Sequence, residues 1–130
     1  MMKKHILVVD DDPSLRTLFA ALMESYGYTS ETAENGGEAV RKLAQVAYDA
    51  VLLDYIMPGI TGLTVLRHIQ QLYPAIPTMM ITGHTDGQVA AQALAAGARA
   101  YLSKPFHGVE LKETLRCMVG TAASEAVSSL

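Results

Sequence analysis

Three aspartates in a row, Asp10, Asp11 and Asp12, follow the apolar run HILVV at residues 5–9. Carboxylates packed this closely raise one another's pKa, and the usual offset is a hard divalent cation with oxygen ligands. Other residues could share such a site. Asp54 ends the run YDAVLL, where an unpaired buried charge would be expensive. Thr82 ends PTMMI, and Lys104 follows ARAYLS and precedes Pro105. Mg²⁺ is the favoured cation, because it keeps several waters and is commonly held by one or two carboxylates plus a phosphate oxygen. A metal, an ammonium and a hydroxyl around one carboxylate are what an aspartyl phosphate requires: a nucleophile, and neutralisation of charge on the phosphoryl oxygens.

These residues can meet only if the fold gathers them. Apolar runs of strand length alternate with segments of helical period, which predicts an α/β protein built of βα units, a parallel sheet sandwiched between helices. The predicted strands are 5–10, 28–33, 48–54, 77–82 and 98–103. The first, third and fourth are continuously apolar and so should be central, whereas YTSETA (28–33) is polar enough for an edge. In the first helix Leu15, Leu18, Phe19, Leu22, Met23 and Tyr26 form one apolar stripe. Asp12 suits its N-cap, Pro13 its first position and Gly27 its left-handed end. Further helices are expected at about 36–46, 62–72, 86–96 and 108–119, the third carrying Val65, Leu66, Ile69 and Leu72 with Thr61 as N-cap. Ligands of open parallel sheets bind outside the carboxyl ends of the strands. Those ends carry Asp10 and Asp11, Asp54, Thr82, and Ser103-Lys104-Pro105. Which two of the three leading acids would hold a metal is a matter of register that the pattern leaves open.

The segments ILVVDDDPSLR, VLLDYIMPGITGL, MMITGHTD and AGARAYLSKPF, in this order and spacing, resemble the CheY-like receiver domain of two-component response regulators over about residues 4–119. The resemblance implies a flavodoxin-like (βα)5 three-layer sandwich with strand order 2-1-3-4-5. It implies that Asp54 is the phosphoacceptor, receiving its phosphoryl group from a sensor histidine kinase or phosphotransfer protein. It assigns the Mg²⁺ site to Asp10, Asp11, Asp54 and the backbone carbonyl of Ile56. Thr82 and Lys104 become the groups that hold the phosphoryl oxygens, Tyr101 the aromatic switch, and Lys104-Pro105 a cis peptide. The responsive surface would be residues 86–119, meeting a second copy or an output domain, with Arg99, Lys112, Glu113 and Arg116 as polar contacts. Ile56 and His84, each two residues beyond a site residue, would tune the lifetime of the phosphate.

Composition sets bounds on the rest. The chain has 130 residues, half of them apolar, with a net charge of -3 and scattered basic residues, so one domain without a nucleic-acid face or membrane span is expected. The single Cys117 and the lack of a signal sequence suit the cytoplasm. Residues 120–130, small and Ala/Ser-rich, read as a flexible tail or the start of a linker. That favours the N-terminal part of a transcriptional regulator over a stand-alone regulator. A nucleotide enzyme would need a Gly-rich phosphate loop that is absent from the sequence. An FMN-binding flavodoxin would repel its phosphate from the acids of the first loop. A phosphatase of the haloacid-dehalogenase type would need a second aspartate where Ile56 stands. The expectation is therefore a switch that catalyses only its own phosphorylation and slow dephosphorylation, not an enzyme of turnover. A constitutive interaction module would not need all five site residues.

Overall fold

The computed structural model describes residues 3–57, 59–83 and 87–120. Five strands alternate with five helices: β1 His5–Val9, α1 Pro13–Ser25, β2 Thr29–Ala33, α2 Gly36–Gln45, β3 Ala50–Asp54, α3 Gly62–Leu72, β4 Thr78–Thr82, α4 Gly87–Ala95, β5 Ala100–Ser103 and α5 Gly108–Met118. All pairings are parallel and the sheet order is β2-β1-β3-β4-β5, with the polar β2 at one edge. This is the flavodoxin-like arrangement expected.

Successive strand residues point to opposite faces, so each continuously apolar strand feeds two cores. Leu7, Val9, Val51, Leu53 and Met80 pack beneath α2, α3 and α4, where they meet Leu43, Val65, Leu66, Ile69 and Ala93. Ile6, Val8, Leu52, Met79, Ile81 and Leu102 face α1 and α5, where they meet Phe19, Met23, Leu111 and Leu115. The helices begin as the sequence suggests. Asp12 caps α1 by accepting from the backbone N–H groups of Ser14 and Leu15. Thr61 accepts from Thr64 at the start of α3, and Gly27 takes a φ of +92° just after α1.

Several boundaries are shorter than the apolar runs. β3 begins at Ala50 and β5 at Ala100, although Tyr48 and Ala98 are buried. Both residues fill the core from the connections that lead into their strands, where apolar character reports burial and not ladder pairing. β1 ends at Val9, which places Asp10 just past the strand. The apolar stripes are also wider than the buried faces. Leu18 of α1 is 46% exposed and Leu72 of α3 is 56% exposed, because each sits at the margin of its helix's packed side. The expected tail lies outside the described residues from residue 121 onward.

Candidate functional site

Asp10, Asp11, Asp54, Thr82 and Lys104 all stand at the carboxyl edge of the sheet. Strands β1 and β3 are neighbours, so the first residue after β1 and the last residue of β3 come side by side. One carboxylate oxygen from each of Asp10, Asp11 and Asp54 lies within 4.8 Å of the others. Asp10 and Asp54 are buried, 2% and 7% exposed, while Asp11 faces solvent.

Lys104 enters from the loop after β5. Its Nζ lies 3.2 Å from Asp10 Oδ2 and 3.6 Å from Asp54 Oδ1, a single ammonium bridging the two buried acids. Its backbone N–H donates to the Thr82 carbonyl at 2.7 Å, which ties this loop to the end of β4. The Lys104–Pro105 peptide is cis. Thr82 is fully buried at the end of β4. Tyr101 is half-buried on β5 and packs against the core beneath α2, α3 and α4. Ile56 is 50% exposed beside the site, and its backbone N–H hydrogen-bonds the Asp54 carboxylate. His84 lies outside the described residues.

One ammonium does not balance three carboxylates. The Asp54 carboxyl is pushed up from 3.8 to about 6, chiefly by burial and then by the charge of Asp10, with Lys104 and the Ile56 N–H pulling the other way and Asp11 adding a smaller push upward. Oxygen donors this close, with a raised pKa among them, fit a hard divalent cation of the Mg²⁺ or Ca²⁺ class. Asp10 and Asp54 also face a cation directly, so an anionic group beside Asp54 would find Lys104 within reach.

The site has two further residues, Arg16 and Gly62, to which the sequence motifs assign no role. Arg16 of α1 donates from Nη1 to the backbone carbonyl of Asp10 at 2.8 Å. A basic residue in the opening turn of a helix runs against the helix dipole, and that conflict is the signal that could have found it. Gly62 opens α3 against the end of β3. Its N–H donates to the Tyr55 carbonyl at 3.0 Å, and a Cβ there would sit 2.8 Å from Tyr55 Cα and closer still to the Asp54 carbonyl. Only glycine fits.

Residues 6–116 match the family model described as response regulator receiver domain. Among curated proteins, the DNA-binding transcriptional regulator NtrC of Escherichia coli strain K12 is 40% identical over 106 residues, a match that covers 82% of this chain and 23% of NtrC. The chain spans about a quarter of the length of the curated relatives it matches. Among solved structures, a response regulator receiver domain protein (CheY-like) from Methanospirillum hungatei JF-1 aligns with a TM-score of 0.88 at 29% identity, covering 95% of this chain and 98% of that one. The receiver domain of the sensor histidine kinase PA1611 from Pseudomonas aeruginosa PAO1 aligns with a TM-score of 0.83 at 31% identity, covering 91% and 98%. That structure holds a magnesium ion coordinated in its active-site cleft.

Proposed function

The chain belongs to the response regulator receiver domain family of two-component signalling, and from that premise we propose that Asp54 is its phosphoacceptor and the surrounding residues its switch. The observation that carries the proposal is the position of Lys104, bridging buried Asp10 and Asp54 with Asp11 alongside. Asp10, Asp11, Asp54 and the Ile56 carbonyl would hold Mg²⁺, the cation present in the PA1611 receiver. When bound, Mg²⁺ supplies charge neutralisation for the phosphoryl oxygens.

The chain's own residues do the rest. Above pH of about 6 the Asp54 carboxyl is ionised, so one Oδ attacks the phosphorus of a phosphohistidine on a sensor kinase or phosphotransfer protein. The Oδ–P bond forms as the N–P bond breaks, and the imidazole leaves with the electron pair. Lys104 turns its ammonium from the Asp10 and Asp54 carboxylates to the new phosphoryl oxygens, and the Thr82 hydroxyl donates to another. These groups gain contacts only in the phosphorylated form, which biases the β4–α4 and β5–α5 loops toward a second arrangement. The half-buried Tyr101 can follow by turning inward. The side chain two residues after Asp54 is apolar Ile56, so no carboxyl stands there to protonate a leaving group, which suits a switch better than a turnover phosphatase.

The receiver unit would span residues 4–119, with the following residues as tail or linker. By analogy with NtrC, the whole protein would be a cytoplasmic transcriptional regulator whose output domain reads the state of residues 86–119. Among the described residues no helix is long and apolar enough to cross a membrane.

Incubation with acetyl phosphate followed by intact-mass measurement tests the chemistry. One phosphoryl adduct is expected on the wild type with Mg²⁺, and none without the metal or on Asp54→Asn. A wild type that stays unmodified with Mg²⁺ present would refute the reading.

A further inference from the structure

Arg16 is the fourth residue of α1, a helix with no acid in its first turn. A positive charge is disfavoured there by the helix dipole, so local preference does not explain the residue. Its side chain is only 19% exposed, and it reaches back over the end of β1. Nη1 donates to the Asp10 backbone carbonyl at 2.8 Å, the first carbonyl beyond the strand. Nη2 lies 4.0 Å from Glu34 Oε2, an exposed carboxylate, and such a surface pair contributes little.

The bond to the carbonyl matters because of what shares that peptide. The Asp10 carbonyl, the Asp11 N–H and the Asp11 Cα lie in one plane. Asp10 itself is already fixed. Its N–H donates to the Ala33 carbonyl at 3.1 Å, Oδ1 accepts from the Asp12 N–H at 2.9 Å, and Oδ2 accepts from Lys104 at 3.2 Å. Asp11 has no such support. Its side chain faces solvent, and among the described residues no hydrogen bond or ion pair holds it. The Asp11 Cα is held between two pinned peptides, the one before it by Arg16 and the one after it by the Asp12 N–H on Asp10 Oδ1, so the direction of its Cβ follows the plane that Arg16 fixes.

We propose that Arg16 is a positioning residue for the divalent-cation site: by fixing the Asp10–Asp11 peptide plane it aims the Asp11 carboxylate toward Asp10 and Asp54. The proposal rests on the phosphoacceptor reading and deepens it. Arg16 touches neither the cation nor the phosphoryl group, so its effect falls on metal affinity and not on the transfer step once metal is bound. Removing an outer partner that orients a metal ligand commonly lowers metal affinity by about 10–100-fold.

The test is calorimetric titration of unphosphorylated protein with Mg²⁺ for the wild type, Arg16→Gln and Arg16→Lys, beside their melting temperatures and the Mg²⁺ dependence of phosphorylation by acetyl phosphate. Arg16→Gln should weaken Mg²⁺ binding on the order of tenfold. Its phosphorylation rate at saturating Mg²⁺ should stay near wild type. Arg16→Lys, whose ammonium can still donate one bond to the carbonyl, should weaken binding less. A folded Arg16→Gln protein with wild-type Mg²⁺ affinity overturns the proposal. Should that variant not fold, Arg16→Met, which keeps an apolar stem and has no donor for the carbonyl, takes its place: reduced affinity at an unchanged melting temperature supports the role, and wild-type affinity overturns it. A wild type that neither binds Mg²⁺ nor takes a phosphoryl group overturns the phosphoacceptor reading instead, and the role of Arg16 with it.

Discussion

The buried charge of Asp54 costs the native state stability. Its carboxyl is raised to about 6 against 3.8 for an ordinary aspartate, so the folded protein binds more protons than the unfolded chain between those values. Stability of the metal-free protein should therefore fall as pH rises from about 4 through about 6. At one pKa unit per 1.36 kcal/mol, ionised Asp54 disfavours the folded state at neutral pH by on the order of 2–3 kcal/mol. Asp54→Asn removes the charge while keeping the shape. In metal-free buffer at pH 7 it should raise the urea midpoint, and the gain should shrink below pH 5 or when Mg²⁺ is added to the wild type. An Asp54→Asn protein less stable than the wild type at pH 7 would contradict this account. The acids were legible in the sequence because each ends an apolar run, where an unexplained charge stands out. Arg16 was not, because a long side chain six residues from its partner can turn anywhere until α1 is packed against β1.

Gly62 shows the same cost at the scale of an element. The β3–α3 connection brings the first turn of α3 onto the backbone of Asp54 and Tyr55, leaving no room for a Cβ. Gly36 makes a similar close approach on α2, where a Cβ would lie 2.9 Å from both Ile60 Cβ and Val65 Cγ2. The connection that follows Asp54 is thereby held from two helices. Gly62→Ala must push α3 away from the strand end. An overpacking cost of about 1–3 kcal/mol is expected in the urea midpoint, together with slower phosphorylation as the Asp54 carboxylate shifts from Lys104. Unchanged stability and rate would mean that the loop yields freely. Element order and type followed from the alternation of runs and from caps at Asp12 and Thr61. The boundaries did not, since Tyr48 and Ala98 are buried in connections and carry the same apolar signal as strand residues.

At the scale of the molecule, Thr82 and Lys104 sit on the β4–β5 side of the site, so a phosphoryl group that recruited them, as proposed, would act on α4, β5 and α5. Among the exposed apolar side chains on this side are Leu94, 51% exposed, and Val109, 74% exposed. Glu113 and Arg116 already pair with each other at 2.8 Å, and Lys112 lies over the Tyr26 ring at 6.0 Å. If residues 86–119 carry the response, phosphorylated wild type should gain mass by light scattering as it associates. Asp54→Asn treated alike should remain as it was. Donor-dependent association that survives Asp54→Asn would place the response elsewhere.

The sequence by itself determined the kinds of element, their order, which strands are central, and the five residues at the strand ends, because burial and periodicity are local properties that each run records. Only the tertiary structure decided which of those residues touch. Asp10 and Lys104 are 94 positions apart, and their 3.2 Å contact exists because β1 and β3 lie at the centre of the sheet while the loop after β5 folds back over its edge. The raised pKa of Asp54, the grip of Arg16 on the Asp10 carbonyl and the exclusion of any Cβ at Gly62 are likewise distances between elements. No single run of sequence contains them.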